Sequence, residues 1–329
     1  MTAVSAWGQA PAAPPAQPGG MFTAQDSKSA LAEKAAARGA MLMQLGKYPD
    51  SPGNGSYPAT YAMAPNGMED VVYEPTNLAA VKGKLGVYIW GNGGCGYDAT
   101  SARFHLIEIA SHGYVAIAPG EIISGPKGPA TPPASDKRAT PEKMIAALDW
   151  ILAENARAGS PYYGKIDAGA VAFSGHSCGG LIAMTAALDP RAKALVLENS
   201  GLFRQMPGGM GADPKMGEVM KLMGRMTKAD LVKLHTPVLY ILGGPQDMAE
   251  PNGLDDFKHI ESVPVFVADH PGAGHGGLFA EPNSEGTKIE LDWLAWQLHK
   301  DAVAARTFTG SDCTLCRDYR WNVYRKGIK

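Results

Sequence analysis

Ser177, His275 and Asp247 are the residues whose types and settings could do chemistry together. Ser177 is the middle residue of Gly175-His176-Ser177-Cys178-Gly179. A serine hydroxyl is a weak nucleophile at neutral pH: it needs a base to take its proton and a third group to orient that base. His275 lies in the run Gly272-Ala273-Gly274-His275-Gly276-Gly277, and Asp247 follows Gly243-Gly244-Pro245-Gln246. A set of this kind performs acyl transfer through a covalent acyl-serine. Other residues compete for the roles. His270 follows Asp269 directly and suits a loop hydrogen bond, His176 suits packing or pocket lining, and Glu198 and Glu250 are the rival acids.

The surrounding sequence supplies elements to position these groups. Apolar residues through Phe173 read as a buried strand that runs into the turn around Ser177, and a helical stretch opens with Leu181-Ile182-Ala183-Met184. Glycines flank the serine because so sharp a strand-to-helix turn strains its backbone and leaves no room for side chains nearby. The hydroxyl then stands beside a helix N-terminus, where backbone N–H groups favour developing negative charge. Further apolar runs at 71–73, 85–90, 114–118, 194–197, 238–242 and 265–268 read as strands. Helices are expected at 104–110, from Pro141 after Thr140, and at about 287–305. Unalternating apolar strands separated by helices predict an α/β fold with a mostly parallel central sheet covered on both faces. Asp247 and His275 each fall just past a strand end.

In its strand–turn–helix setting, the Gly-x-Ser-x-Gly resembles the nucleophile elbow of the α/β-hydrolase superfamily. The resemblance covers about residues 68–300 and is nearest to dienelactone-hydrolase-like and polyester-hydrolase-like bacterial serine esterases. It implies the order nucleophile, acid, histidine, met here by Ser177, Asp247 and His275. It also implies an oxyanion hole, with one donor the N–H of Cys178. The second donor would come from Gly91-Asn92-Gly93-Gly94, which resembles the family's His-Gly-Gly-Gly element with Trp90 in place of the histidine. Asn92 is the expected donor and Gly93 the alternative. If residue 178 and the 91–95 loop line one oxyanion hole, Cys95 and Cys178 come within the roughly 4.4–6.8 Å Cα separation of a bridge. A disulfide and two buried thiols are both compatible with that placement; the disulfide is the expectation. The implied activity is hydrolysis of a small-molecule or polymeric carboxylic ester with no metal or organic cofactor. Amide hydrolysis or acyl transfer would use the same parts. A non-catalytic binding protein of the same fold is the alternative from another class, although it would have no need to keep all three residues.

The chain has 329 residues and a formal charge of −2, which offers no electrostatic footprint for nucleic acid or an anionic membrane. No apolar run has the length of a membrane-spanning helix. Residues 1–26 read as the remnant of a signal peptide running into a Pro/Ala-rich linker, so a periplasmic or secreted protein is expected, against a disordered cytosolic tail. An N-terminal helical arm is expected at 27–67, a catalytic domain at 68–309 and a tail at 310–329. Within the domain, the Met-rich stretch at about 202–230 (Met206, Met210, Met216, Met220, Met223, Met226) suggests a small cap, or else a core-facing helix. The tail carries Cys313-Thr314-Leu315-Cys316. A metal site would want two more ligands at recognisable spacing, so a local disulfide is expected rather than a metal centre or free thiols. The even cysteine count suits an oxidising compartment.

Overall fold

The apolar runs pair side by side into a single sheet. In the computed structural model, which describes residues 48–329 except 66–67, 132–135, 204–220, 224, 277 and 280, the strands are β1 (Ala59–Met63), β2 (Asp70–Pro75), β3 (Leu85–Gly91), β4 (Tyr114–Pro119), β5 (Ile166–His176), β6 (Ala194–Glu198), β7 (Val238–Leu242), β8 (Val265–Asp269) and β9 (Asn322–Lys326). Their order across the sheet is β1-β2-β4-β3-β5-β6-β7-β8-β9. The pairs β1/β2, β2/β4 and β8/β9 are antiparallel and the rest parallel.

Helices cover both faces because the strands β3, β4, β6, β7 and β8 are buried on both sides. Val87, Ile89, Val171 and Phe173 pack on one face with α2 (Pro141–Ala156) and α3 (Cys178–Ala186). Tyr88, Trp90, Ala172 and Val196 pack on the other with α1 (Arg103–Ser111) and α5 (Glu285–His299). α4 (Glu250–His259) follows β7. The start of α2 follows its sequence signals, with Pro141 in its first turn and Thr140 Oγ1 accepting from Lys143 N at 3.3 Å. α5 ends where Lys300 turns left-handed (φ 60°), and the short α6 (Ala302–Ala305) follows, so the expected helix over 287–305 is two. α7 (Thr314–Arg317) lies between α6 and β9.

From β3 the chain moves outward to β4, then returns past β3 to form β5 and continues in one direction to β8. The carboxyl ends of β3 and β5 are therefore the switch point, where ligands bind in open α/β sheets. The expected oxyanion loop follows β3 and the Ser177 turn follows β5.

Both ends of the sheet depart from the sequence expectation. The sheet begins at Ala59, inside the stretch assigned to an arm, rather than at Val71. Tyr61 is buried there against Tyr73, ring centroids 5.0 Å apart. The 310–329 tail is part of the same compact unit as the domain. Its β9 closes the sheet against β8, and Leu315 and Trp321 are buried in the α1/α5 face. The expected signal remnant and the helix of the arm lie outside the described residues. So does most of the expected cap, 204–220. In its described part, Leu222 and Met226 belong to the core. No helix among the described residues is long and apolar enough to cross a membrane.

Candidate active site

The turn after β5 places Ser177 at φ 56° and ψ −124°, a left-handed conformation that non-glycine residues rarely adopt. The flanking glycines are required by close approach. A Cβ on Gly175 would sit 2.4 Å from the carbonyl oxygen of Gly179, and one on Gly179 would sit 1.9 Å from that of Gly91. The ends of β3, β5 and α3 therefore touch through bare backbone. Hydrogen bonds hold the strained serine: its N–H donates to Glu198 O at 2.9 Å, and its carbonyl accepts from Gly180 N at 3.0 Å and Ser200 Oγ at 2.8 Å. Cys178 opens α3, so its N–H belongs to the first turn and has no partner within the helix.

Asp247 follows β7 and His275 follows β8, and the structure brings them together. His275 Nδ1 lies 2.6 Å from Asp247 Oδ1. With Nδ1–H donating to the carboxylate, Nε2 is the nitrogen left to act as a base. The buried Asp247 carboxylate also accepts from Asn199 Nδ2 at 2.6 Å, Ala249 N at 2.9 Å and Gly243 N at 3.1 Å. Burial pushes this carboxyl up, but the hydrogen bonds from His275, Asn199, Ala249 and Gly243 outweigh burial and hold it below the usual carboxylate range. Asp247 is thus kept charged where an imidazolium would form.

Asn199 was not visible as a site residue in the sequence. Its side chain donates to Asp247, approaches Gly274 O at 3.3 Å and accepts from Gly276 N at 3.1 Å, so one amide holds the acid and both flanks of the histidine. It sits at φ 44°, which asparagine tolerates better than most residues. Asn322 of β9 contributes at a distance: it donates to Asp269, whose other oxygen accepts Gly244 N in the acid's loop.

Ser177, Cys178 and His275 line one cavity of about 330 Å³, with Leu181, Phe203, Met223, Met248 and Ala249 as its apolar wall. A hollow of about 440 Å³ beside His112, Tyr114 and Asp292 is lined by none of the three. Cys95 and Cys178 are joined, Cα atoms 5.2 Å apart, and tie the loop after β3 to the elbow. Cys313 and Cys316 form the second disulfide, so neither is a metal ligand. Gly94 lines the cavity. The Asn92 side chain turns inward instead, donating to Pro119 O at 2.8 Å and Gly96 O at 3.2 Å, so an oxyanion contact from residue 92 must use its backbone N–H. Gly93 packs against the His176 ring, where a Cβ would come 2.8 Å from Nδ1. Trp90 points away, into the core with Tyr88 and His105.

The competing residues make other contacts. His176 packs against His275, ring centroids 4.9 Å apart. His270 meets the edge of Trp321 at 5.0 Å. Glu250 opens α4, and Glu198 is wholly buried beside His105 and Glu290. Set against known proteins, the chain matches no family model and no curated sequence.

Proposed function

We propose that the protein is a serine hydrolase of carboxylic esters, of the α/β-hydrolase kind. The observation that carries the reading is the convergence of three strand ends: a strained serine after β5 and an Asp247–His275 pair 2.6 Å apart after β7 and β8, with Ser177 and His275 on one cavity. Chain order and the strand–turn–helix setting of the serine support the superfamily reading.

In this mechanism His275 Nε2 takes the Ser177 proton as Oγ attacks the ester carbonyl. Asp247 holds the ring and stabilises the imidazolium. The N–H of Cys178, with a second donor from the disulfide-tied loop after β3, faces the oxyanion; one such donor is commonly worth about 3–4 kcal/mol in the barrier. His275 then protonates the departing alcohol, and the same nitrogen activates the water that releases the acid and restores Ser177. The wall of Leu181, Phe203, Met223, Met248 and Ala249 suits an uncharged ester with an apolar group.

A p-nitrophenyl ester series from acetate to long acyl chains tests this. Turnover should rise as the acyl group fills the apolar wall, and Ser177→Ala should abolish it. Turnover retained near the wild-type level in Ser177→Ala would refute the assignment.

A further inference from the structure

The segment Glu198-Asn199-Ser200 at the end of β6 holds the whole candidate site from below. The Glu198 carbonyl and the Ser200 hydroxyl grip the backbone of Ser177, and the Asn199 side chain grips Asp247 and the histidine loop. Beneath this segment lies the Glu198 side chain, which the mechanism does not use. It is fully buried on the face covered by α1 and α5, facing Glu290 of α5 and His105 of α1. Among the described residues, neither Glu198 oxygen, nor Oε2 of Glu290, meets an N–H or O–H donor at hydrogen-bonding distance. Such a deficit in the core needs an explanation.

We propose that Glu198 and Glu290 form a buried acid–carboxylate pair sharing a single proton, and that this pair positions the Glu198–Ser200 segment for the proposed reaction. Two bare carboxylates side by side in the core would combine desolvation with like-charge repulsion. One proton on Glu198, donated to Oε2 of Glu290, removes the repulsion and gives a partner to two of the three unpartnered oxygens. The surrounding groups leave no other source of balance. No lysine or arginine pairs with either carboxyl among the described residues. Tyr88 of β3 donates to Glu290 Oε1 at 2.9 Å and lies 2.8 Å from His105 Nε2, while His105 Nδ1 meets Thr287 Oγ1 at 2.8 Å. Burial, with the charge of His176 on β5 second, pushes His105 down to about 3, so it is neutral. Burial likewise raises Tyr88, and Tyr114 of β4, well above their ordinary values. Burial, then the charge and hydrogen bond of Glu290, push Glu198 well up; burial raises Glu290 too, but the hydrogen bonds of Glu198, Tyr88 and Ser174 oppose it. Tyr88 donates to Glu290 and no described group donates to Glu198, so Glu198 is the member that keeps the proton.

A divalent cation is the competing occupant, since ligand atoms of His105, Glu198 and Glu290 lie within 4.8 Å of one another. The contact of His105 Nε2 with Tyr88 argues for the proton. It occupies the nitrogen that would ligate.

The test compares Glu198→Gln, which keeps a donor toward Glu290, with Glu198→Ala. Only the catalytic consequence rests on the esterase reading, so stability and spectroscopy are read alongside organophosphonate labelling of Ser177. A carboxyl whose folded pKa is raised binds its proton more tightly when folded, so its contribution weakens as pH rises from the unfolded to the folded value. Wild-type stability should show this alkaline decline, and Glu198→Gln should lack that part of it. Labelling should stay within about threefold of wild type in Glu198→Gln and fall roughly thirtyfold or more in Glu198→Ala, which leaves Glu290 without its donor. In the unmutated protein, an infrared carbonyl band of an un-ionised carboxylic acid should persist at about pH 8, above the values near 6 and 7 to which burial lifts Asp256 and Asp70. That measurement decides the matter even if a variant does not fold. Absence of the band, Glu198→Gln as damaged as Glu198→Ala, or a stoichiometric metal lost from Glu198→Gln would each overturn the proposal. If wild type shows the band and the alkaline decline but no labelling, the shared proton stands and the esterase reading falls.

Discussion

Two acids stand at the carboxyl ends of neighbouring strands, Glu198 closing β6 and Asp247 just beyond β7, and their surroundings give them opposite characters. Asp247 collects donors from His275, Asn199, Ala249 and Gly243 and is held below the usual carboxylate range. Glu198 meets another carboxyl in the core and is pushed well above it. Burial alone does not decide the charge of an acid. The donors aimed at it do. In the proposed site this division gives one acid the work of orienting a base and leaves the other to hold the floor beneath it.

The largest effect should come from breaking the first acid. Asp247→Asn keeps the shape but replaces the charge and disturbs the tautomer of His275, so kcat should fall by about 10³–10⁴-fold. Steady-state kinetics checks this, and full activity would return Glu198 and Glu250 to contention.

Second in size is the link between the loop after β3 and the elbow. The Cys95–Cys178 bridge spans 83 residues and the Cys313–Cys316 bridge only 3. By chain entropy the first stabilises by about 4.6 kcal/mol and the second by about 2 kcal/mol, both upper figures. Cys95→Ser should therefore lower the denaturation midpoint and the turnover together, whereas Cys313→Ser should lower the midpoint less and leave turnover alone. Equal effects on turnover would place the oxyanion loop elsewhere.

Asn199→Ala should be milder, lowering kcat about 10- to 100-fold with KM nearly unchanged, because it removes donors from Asp247 and support from the histidine loop without touching substrate. The smallest effect is on stability against pH, and there the two acids should differ in sign. A depressed carboxyl contributes stability above its unfolded pKa and loses it as pH falls through the folded one. Asp247→Asn should flatten the acid limb of the stability curve and Glu198→Gln the alkaline limb. Chemical denaturation across pH reads both, and the same limb flattening in both variants would erase the contrast.

The strength of each signal in the sequence follows from how local its cause is. Ser177 was legible because the glycines around it answer a close approach written within five residues. His275 and Asp247 were legible as polar residues in glycine-rich loops just past apolar strands. The buried strands stood out because both of their faces are apolar, and their predicted limits fall close to those observed. Edge strands β1 and β9 were hidden because neither is an unbroken buried apolar run: β1 includes Thr60 and exposes Ala62 and Met63, and β9 includes Asn322, Arg325 and Lys326 and has no buried residue. Asn199 was hidden because its partners lie 48 and 77 residues away, at Asp247 and Gly276. The rivalry between Glu198 and Asp247 had the same origin. Both follow apolar strands, and only the direction of the side chain, set by the pleat of β6 and by Glu290 on a distant helix, separates them.

The central claim is that Ser177 is a nucleophile activated by His275, and an active-site-directed organophosphonate tests it without knowledge of the substrate. Mass spectrometry of the treated protein should show one adduct per chain, mapped to the peptide carrying Ser177, absent in Ser177→Ala and slowed at least a thousandfold in His275→Ala, in line with the loss of a triad member. A folded wild-type protein that takes up no adduct, or takes it up on another residue, would contradict the account.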